Sequence, residues 1–338
     1  MTECVRASRA RFVFPVLWIL LAVLAAVSLL YGRYAISWRV WWQVITAYQP
    51  GGTAEIVLLQ VRLPRVIAAM MIGGGLSVAG AAFQGLFRNP MASPDILGAT
   101  AGAGLGAAFG ILFGFGILGI QCLGFVGGLA AVLLVWALAA SASRFGGDPI
   151  LTLILVGIIM REACMALIRL TEYVGDPHGK LAAITFWLVG GLAAVTRRDI
   201  EFVFIPMMLG VVPLLLLRWK LNVLSFGEEE AKALGVNTWW LRMIIIVCST
   251  AITAASVSIS GMIFWVGLVI PHLARMIVGA NHKTLLPASF LIGSCYLLLV
   301  DDCARGLFAL EMPLGVLTSL VGAPFFLFLL FRTRLGRA

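Results

Sequence analysis

The chain has 338 residues, 62% hydrophobic and 12% charged, with 24 Lys and Arg against 15 Asp and Glu for a net charge of +9. So few charges cannot cover a water-facing surface of this size, which excludes a soluble globular protein and places the chain in a bilayer. Long unbroken apolar runs, rather than ten-residue alternating segments, exclude a β-barrel and predict an all-α polytopic membrane protein.

In chain order, about ten spans are expected, near 12–31, 62–86, 95–114, 117–141, 150–171, 199–217, 240–262, 265–279, 284–305 and 313–331. The first follows Arg6, Arg9 and Arg11 and has the outline of a signal peptide, but its length fits a span and it is read as a retained first helix. The third carries Gly98, Gly102, Gly106, Gly110 and Gly114, one glycine every fourth residue, which predicts close helix packing. The piece from Leu181 to Ala194 is too short to span and reads as a re-entrant or interfacial helix. No hydrophilic domain or linker interrupts the chain, so 1–338 is one transmembrane domain.

An even number of spans puts both termini on one side. Lys and Arg divide 14 to 9 in favour of that side, with Arg161 inside a span, and this bias predicts cytoplasmic termini. Three arginines of the external set, Arg62, Arg65 and Arg305, sit at helix mouths and need a separate reason to be there.

Catalytic signatures are missing. The nearest approach to a phosphate-binding loop, Gly175 to Lys180, has the wrong spacing and is followed by Leu181. The six cysteines form no CxxC pair and read as packing residues. His178, His272 and His282 lie far apart and suggest no metal site, and for His272, after Pro271, the expectation is a broken helix with a freed carbonyl. No cofactor is expected on this chain.

The stretch SFGEEEAKALGVN, from Ser225, concentrates acid in a basic chain. Ser225 with Glu228 has capping-box spacing, Gly235 suits a left-handed helix end, and Glu228, Glu229 and Glu230 suit the positive end of a short helix. Ala231 and Leu234 give that helix a small apolar face. It is either a solvated loop helix or a docking element for a soluble subunit.

Several motifs resemble a known family, the iron-siderophore, haem and vitamin B12 permease subunits of bacterial ATP-binding cassette (ABC) importers. They are Val61-Arg62-Leu63-Pro64-Arg65, Arg88-Asn89-Pro90-Met91-Ala92 with Asp95-Ile96-Leu97-Gly98, Phe186 to Leu192, Leu221-Asn222 through Gly235, Phe264 to Arg275, and Glu311 to Val316 with Gly322 to Phe326. The resemblance implies a type II importer fold: a homodimer of ten-helix subunits with a path along the dimer interface, in the bacterial inner membrane. It implies two cytoplasmic ATPase subunits, which bind ATP and Mg, and a periplasmic or lipid-anchored substrate-binding protein. By the same resemblance, residues 225–236 form the coupling helix, with Glu228, Glu229, Glu230, Ala231, Leu234 and Gly235 meeting the ATPase. Arg62, Arg65 and Arg305 would pair with glutamates on the binding protein, and Asn89 and Met91 would contribute to a cytoplasmic gate.

Arg161 and Glu162, near the middle of the fifth span, depart from the family pattern, as does the doubled acid Asp301-Asp302. Arg161 either faces the path and favours an anionic cargo or forms an interhelical ion pair, for instance with Asp301 or Asp302. Two readings compete: a permease for a metal chelate, cobalamin or an oxyanion, driven by a separate ATPase, and an ion-coupled secondary transporter using Arg161, Glu162, Glu172 or Asp176. A membrane enzyme lacks a catalytic set, and nothing points to nucleic acid.

Overall fold

The computed structural model describes residues 2–34, 37–46, 52–143, 148–177, 179–306 and 310–335; His178 lies outside them. Among the described residues all regular structure is helical. Helix α1 (Thr2–Leu30) is followed by α2 (Trp38–Thr46). A continuous helical run over residues 53–86 then passes from α3 (Thr53–Glu55) through a widened π-turn (Ile56–Arg62) into α4 (Leu63–Leu86). Next come α5 (Ala99–Leu112), α6 (Ile117–Ala142), α7 (Pro149–Val174), α8 (Lys180–Val189) and α9 (Arg197–Leu216). The rest of the chain forms α10 (Arg218–Phe226), α11 (Glu228–Ala233), α12 (Thr238–Ser260), α13 (Val266–Val278), α14 (His282–Gly306) and α15 (Leu314–Leu335).

Among the described residues, seven helical segments are long and apolar enough to cross a membrane: the Phe12–Leu30 part of α1, the run over 53–86, α6, α7, α9, α12 and α14. The other three expected spans are the shorter apolar helices α5, α13 and α15. α5 and α13 have 14 and 13 residues, so each is about 20 Å long against a hydrocarbon layer of about 30 Å. Each is preceded by backbone outside the α-helix: a 3-10 turn, Pro94–Leu97, before α5, and the irregular stretch 261–265 before α13. Non-helical backbone at membrane depth is tolerated only inside protein or beside water, so these two breaks mark the interior.

Helix α4 forms the centre, packing on α9, α12, α13 and α14. Its small residues let neighbouring backbones touch it. A methyl group at Gly80 would overlap the Gly267 carbonyl of α13, and one at Gly73 would overlap the Gly293 carbonyl of α14. Such approaches gain van der Waals contact that larger side chains prevent. The glycine ladder of α5 works likewise at Gly102, Gly106 and Gly110, which lie against α6. Its end members do something else: Gly98, at φ +79°, turns the chain into the helix, and a Cβ at Gly114 would meet open space.

Pro271 does not break α13, contrary to expectation. Proline removes the hydrogen bond to the carbonyl four residues earlier, here that of Gly267. That carbonyl sits against Gly80 of α4, and the helix continues through the proline to Val278.

Two helices were not expected. α2 is nine residues long, and its Trp38 ring stacks on Trp41 and Trp42 at centroid distances of 4.8 and 6.3 Å. α10 occupies the connection between α9 and α11, burying Leu221, Val223 and Leu224.

Candidate functional site

Three groups of residues matter: one at each end of the bundle and one between them. Helix α14 fixes the ends, because His282 at its start lies beside Gly85, near the end of α4, while Arg305 at its finish lies near Arg65, close to the start of α4.

At the first end, the acidic stretch forms α11. Ser225 does not cap it. The residue is the penultimate one of α10, where its hydroxyl donates to the Asn222 carbonyl at 2.6 Å, and the N-cap position is Gly227. The capping box that the chain does form lies elsewhere, between Thr196 and Asp199 at the start of α9. Gly235 adopts the expected left-handed conformation, φ +77°, and the Val236 N–H donates to the Ala231 carbonyl at 2.9 Å, closing the helix end.

The three glutamates are not equivalent. Glu228 accepts from Arg242 at 2.9 Å and Thr238 at 3.2 Å and pairs with Lys232 at 3.3 Å. Burial works against its charge, but Arg242 and the hydrogen bonds from Lys232, Arg242 and Thr238 outweigh it and hold the carboxyl below its ordinary pKa. Glu229 and Glu230 are exposed, as are Leu234, Phe226 and Trp219, whereas Ala231 is fully buried and anchors the helix. Asn222 of α10 links this loop to α14: its Oδ1 accepts from the His282 backbone N–H at 2.7 Å, and its side-chain amide donates to Asn281 at 2.8 Å.

Asn89 and Met91 lie in the turn after α4, where the Met91 N–H donates to Asn89 Oδ1 at 2.9 Å and Arg88 has φ +48°. Both residues are exposed.

At the opposite end, Arg62, Arg65 and Arg305 come together, but not as surface charges: they are 4%, 5% and 5% exposed. Arg62 donates to the carbonyls of Leu29 and Leu30 at 2.7 and 2.8 Å, capping the C-terminus of α1 where the helix dipole is negative. Arg65 donates to Asp301 from Nε at 2.9 Å and to Glu311 at 3.1 Å. Arg305 pairs with Asp301 and, through a very short contact, with Asp302, which also accepts from Ser28 at 2.8 Å. The doubled acid Asp301-Asp302 is thus the internal counter-charge of two arginines. It leaves neither acid for Arg161.

Between the ends, a cavity of about 340 Å³ is lined by Arg161 of α7, by Ser93, Asp95 and Thr100 around the first helix break, and by Phe264 and Trp265 at the second. Leu76 of α4 and Thr253 of α12 complete it. Arg161 is exposed to this space, where its charge acts on the Asp95 carboxyl. Trp265 is held at φ +69°, unfavourable for a bulky residue, and such positions cluster at functional sites. Sequence reading missed Asp95 and Trp265 as site residues; the signal was present in the Pro and Gly around them, which break the apolar runs.

Residues 20–332 match the FecCD transport family. The chain is 41% identical to the molybdate import system permease protein MolB of Haemophilus influenzae, over 95% of each chain. It is 36% identical to the hemin transport system permease protein HmuU of Yersinia pestis, over 97% of this chain and 98% of that one. Among solved structures, it is similar to an ABC transporter described as metal-chelate type, in an inward-facing conformation, with TM-score 0.85 and 41% identity over 95% of this chain and 99% of that one.

Proposed function

The chain belongs to the FecCD transport family and is a transmembrane permease of the ABC type, and from that premise we propose that it is the permease subunit of an ATP-driven importer for a metal chelate. The cargo is a ferric siderophore or haem. The working assembly holds two copies of this chain in a bacterial inner membrane, both termini cytoplasmic. Two ABC ATPase subunits, which carry ATP and Mg, dock on α11 and the exposed Phe226 and Leu234. A periplasmic or lipid-anchored binding protein delivers cargo at the Arg62, Arg65 and Arg305 end. Those arginines are already satisfied within the chain, so a partner's acid reaches Arg65 by displacing Glu311, the half-exposed member of the network.

One observation carries the paired-subunit reading. Arg161 and Glu162 are both exposed near the middle of α7, whose other charged residues, Arg169 and Glu172, lie toward its C-terminal end. Ionisable groups facing lipid at that depth are costly by at least ~2.5 kcal/mol each, so this face needs water or a second protein chain. A path between two copies supplies both.

The second reading, an oxyanion importer of the same family, is favoured by the resemblance to the molybdate permease. Uptake into proteoliposomes holding this chain with its ATPase and binding protein separates the two. ATP-dependent entry of haem or a ferric siderophore supports the first, and entry of molybdate alone supports the second. Uptake that persists without ATP and follows an ion gradient overturns both.

A further inference from the structure

The cavity between the two helix breaks has the chemistry of a binding site. Its polar groups come from four separate elements: Ser93 and Asp95 from the turn before α5, Thr100 from α5, Arg161 from α7 and Thr253 from α12. Trp265 forms part of its wall. Arg161 stands near the middle of the 26-residue α7, so the site lies well inside the membrane.

Arg161 makes no hydrogen bond or ion pair among the described residues, although its charge acts on Asp95. The five N–H donors of the guanidinium are therefore available to the cavity, beside the hydroxyl groups of Ser93 and Thr100. A cation at membrane depth is retained where it has something to bind.

We propose that this cavity is an anion-recognising subsite for cargo, in which Arg161 binds an oxyanion or carboxylate group while Asp95 balances the arginine's charge when the subsite is empty. The proposal deepens the permease reading by naming the group of the cargo that the membrane domain senses. Trp265 and Phe264 give the anion an apolar wall, and Ser93 and Thr100 complete its hydrogen bonding. An anion entering replaces water around a fixed arginine, and Asp95 sets how much negative charge the site accepts. Neutral cargo gains nothing from Arg161.

The test needs no transport and no knowledge of the cargo. Ser93→Cys places a thiol on the cavity wall, and its labelling by a negatively charged sulfonatoethyl and a positively charged trimethylammonium-ethyl methanethiosulfonate is followed by mass spectrometry of that position. With Arg161 present, the anionic reagent should react faster. Arg161→Gln should lower the anionic-to-cationic ratio about tenfold, the low end of enrichment in charge-lined clefts. Arg161→Lys should keep most of the ratio, and Asp95→Asn should raise it. Molybdate and citrate, each added as a competitor, distinguish an oxyanion from a carboxylate by which one slows labelling. A ratio unmoved by Arg161→Gln, in protein that elutes and melts like the parent, overturns the subsite and leaves the importer reading to the uptake experiment.

Discussion

Arg65 and Asp301 are 236 residues apart in the chain, yet the Arg65 Nε donates to both carboxylate oxygens of Asp301, at 2.9 and 3.0 Å, with Asp301 only 1% exposed. The pair joins α4 to α14 at the mouth of the bundle. With Arg305, Asp302 and Ser28 it extends to α1, so three helices end on one network of charge. Removing Asp301 takes the most buried acid from both arginines, leaving Arg65 with Glu311 alone and Arg305 with Asp302. Asp301→Ala should destabilise the protein by about 3–5 kcal/mol, the usual cost of breaking a buried pair. A melting temperature in detergent unchanged from the parent would contradict this. Glu311→Gln, which alters the half-exposed arm alone, should cost under about 1 kcal/mol.

The acidic turn should respond to pH. Glu228 has a folded-state pKa below its ordinary 4.5 because Arg242, Lys232 and Thr238 hold its charge against the penalty of burial. A depressed carboxyl contributes stability that is full above the ordinary value and is lost as pH falls through the folded one. Hydrogen-exchange protection in residues 228–236, taken relative to the intrinsic rate at each pH, should therefore be full at pH 7 and fall below pH of about 4.5. Arg242→Gln should flatten that dependence. Equal protection at pH 7 and pH 4 in the parent would show that the pairing does not order the loop.

Close backbone packing makes Gly80 intolerant. A Cβ there would overlap the Gly267 carbonyl, which is backbone and cannot rotate away. Gly80→Ala should cost about 1–3 kcal/mol or more through displacement of α13 from α4. Gly116→Ala meets nothing within 4 Å and serves as the comparison. Expression and melting temperature should separate the two variants clearly.

Asn222 ties the acidic loop to α14 by accepting from the His282 backbone N–H, the role of a helix cap supplied from another helix. Asn222→Ala should cost about 1 kcal/mol in stability. If α10 and α11 transmit ATPase movement to α14, the same variant should also reduce uptake per ATP hydrolysed. A normal coupling ratio would confine Asn222 to a structural role.

Much of this protein was legible without coordinates. The ten apolar runs lie where helices lie because spanning a bilayer requires continuous apolar sequence, a purely local demand. Gly235 was placed in the left-handed region because few other residues reach it cheaply. Ser225 failed as a cap for the opposite reason: capping spacing is local, but residues 218–226 gain more by forming α10 and burying Leu221 and Leu224 against the bundle. α2 escaped because a nine-residue helix leaves no 20-residue hydrophobic signal.

The three mouth arginines mark the boundary most clearly. Sequence determined that this chain is a membrane domain of a transport family and that charges stand at its helix ends. Only tertiary structure decided that those charges are buried and paired within the chain, because the contacts that bury them, Arg65 on Asp301 and Glu311, Arg62 on the end of α1 and Arg305 on Ser28, join separate elements. The same holds for the cavity, where Arg161 meets Asp95 only after two broken helices and α7 have packed together. Hydrophobic length is a property of consecutive residues and can be read in order. The pairing of charges in a medium without water depends on which helices become neighbours, and that is settled by packing.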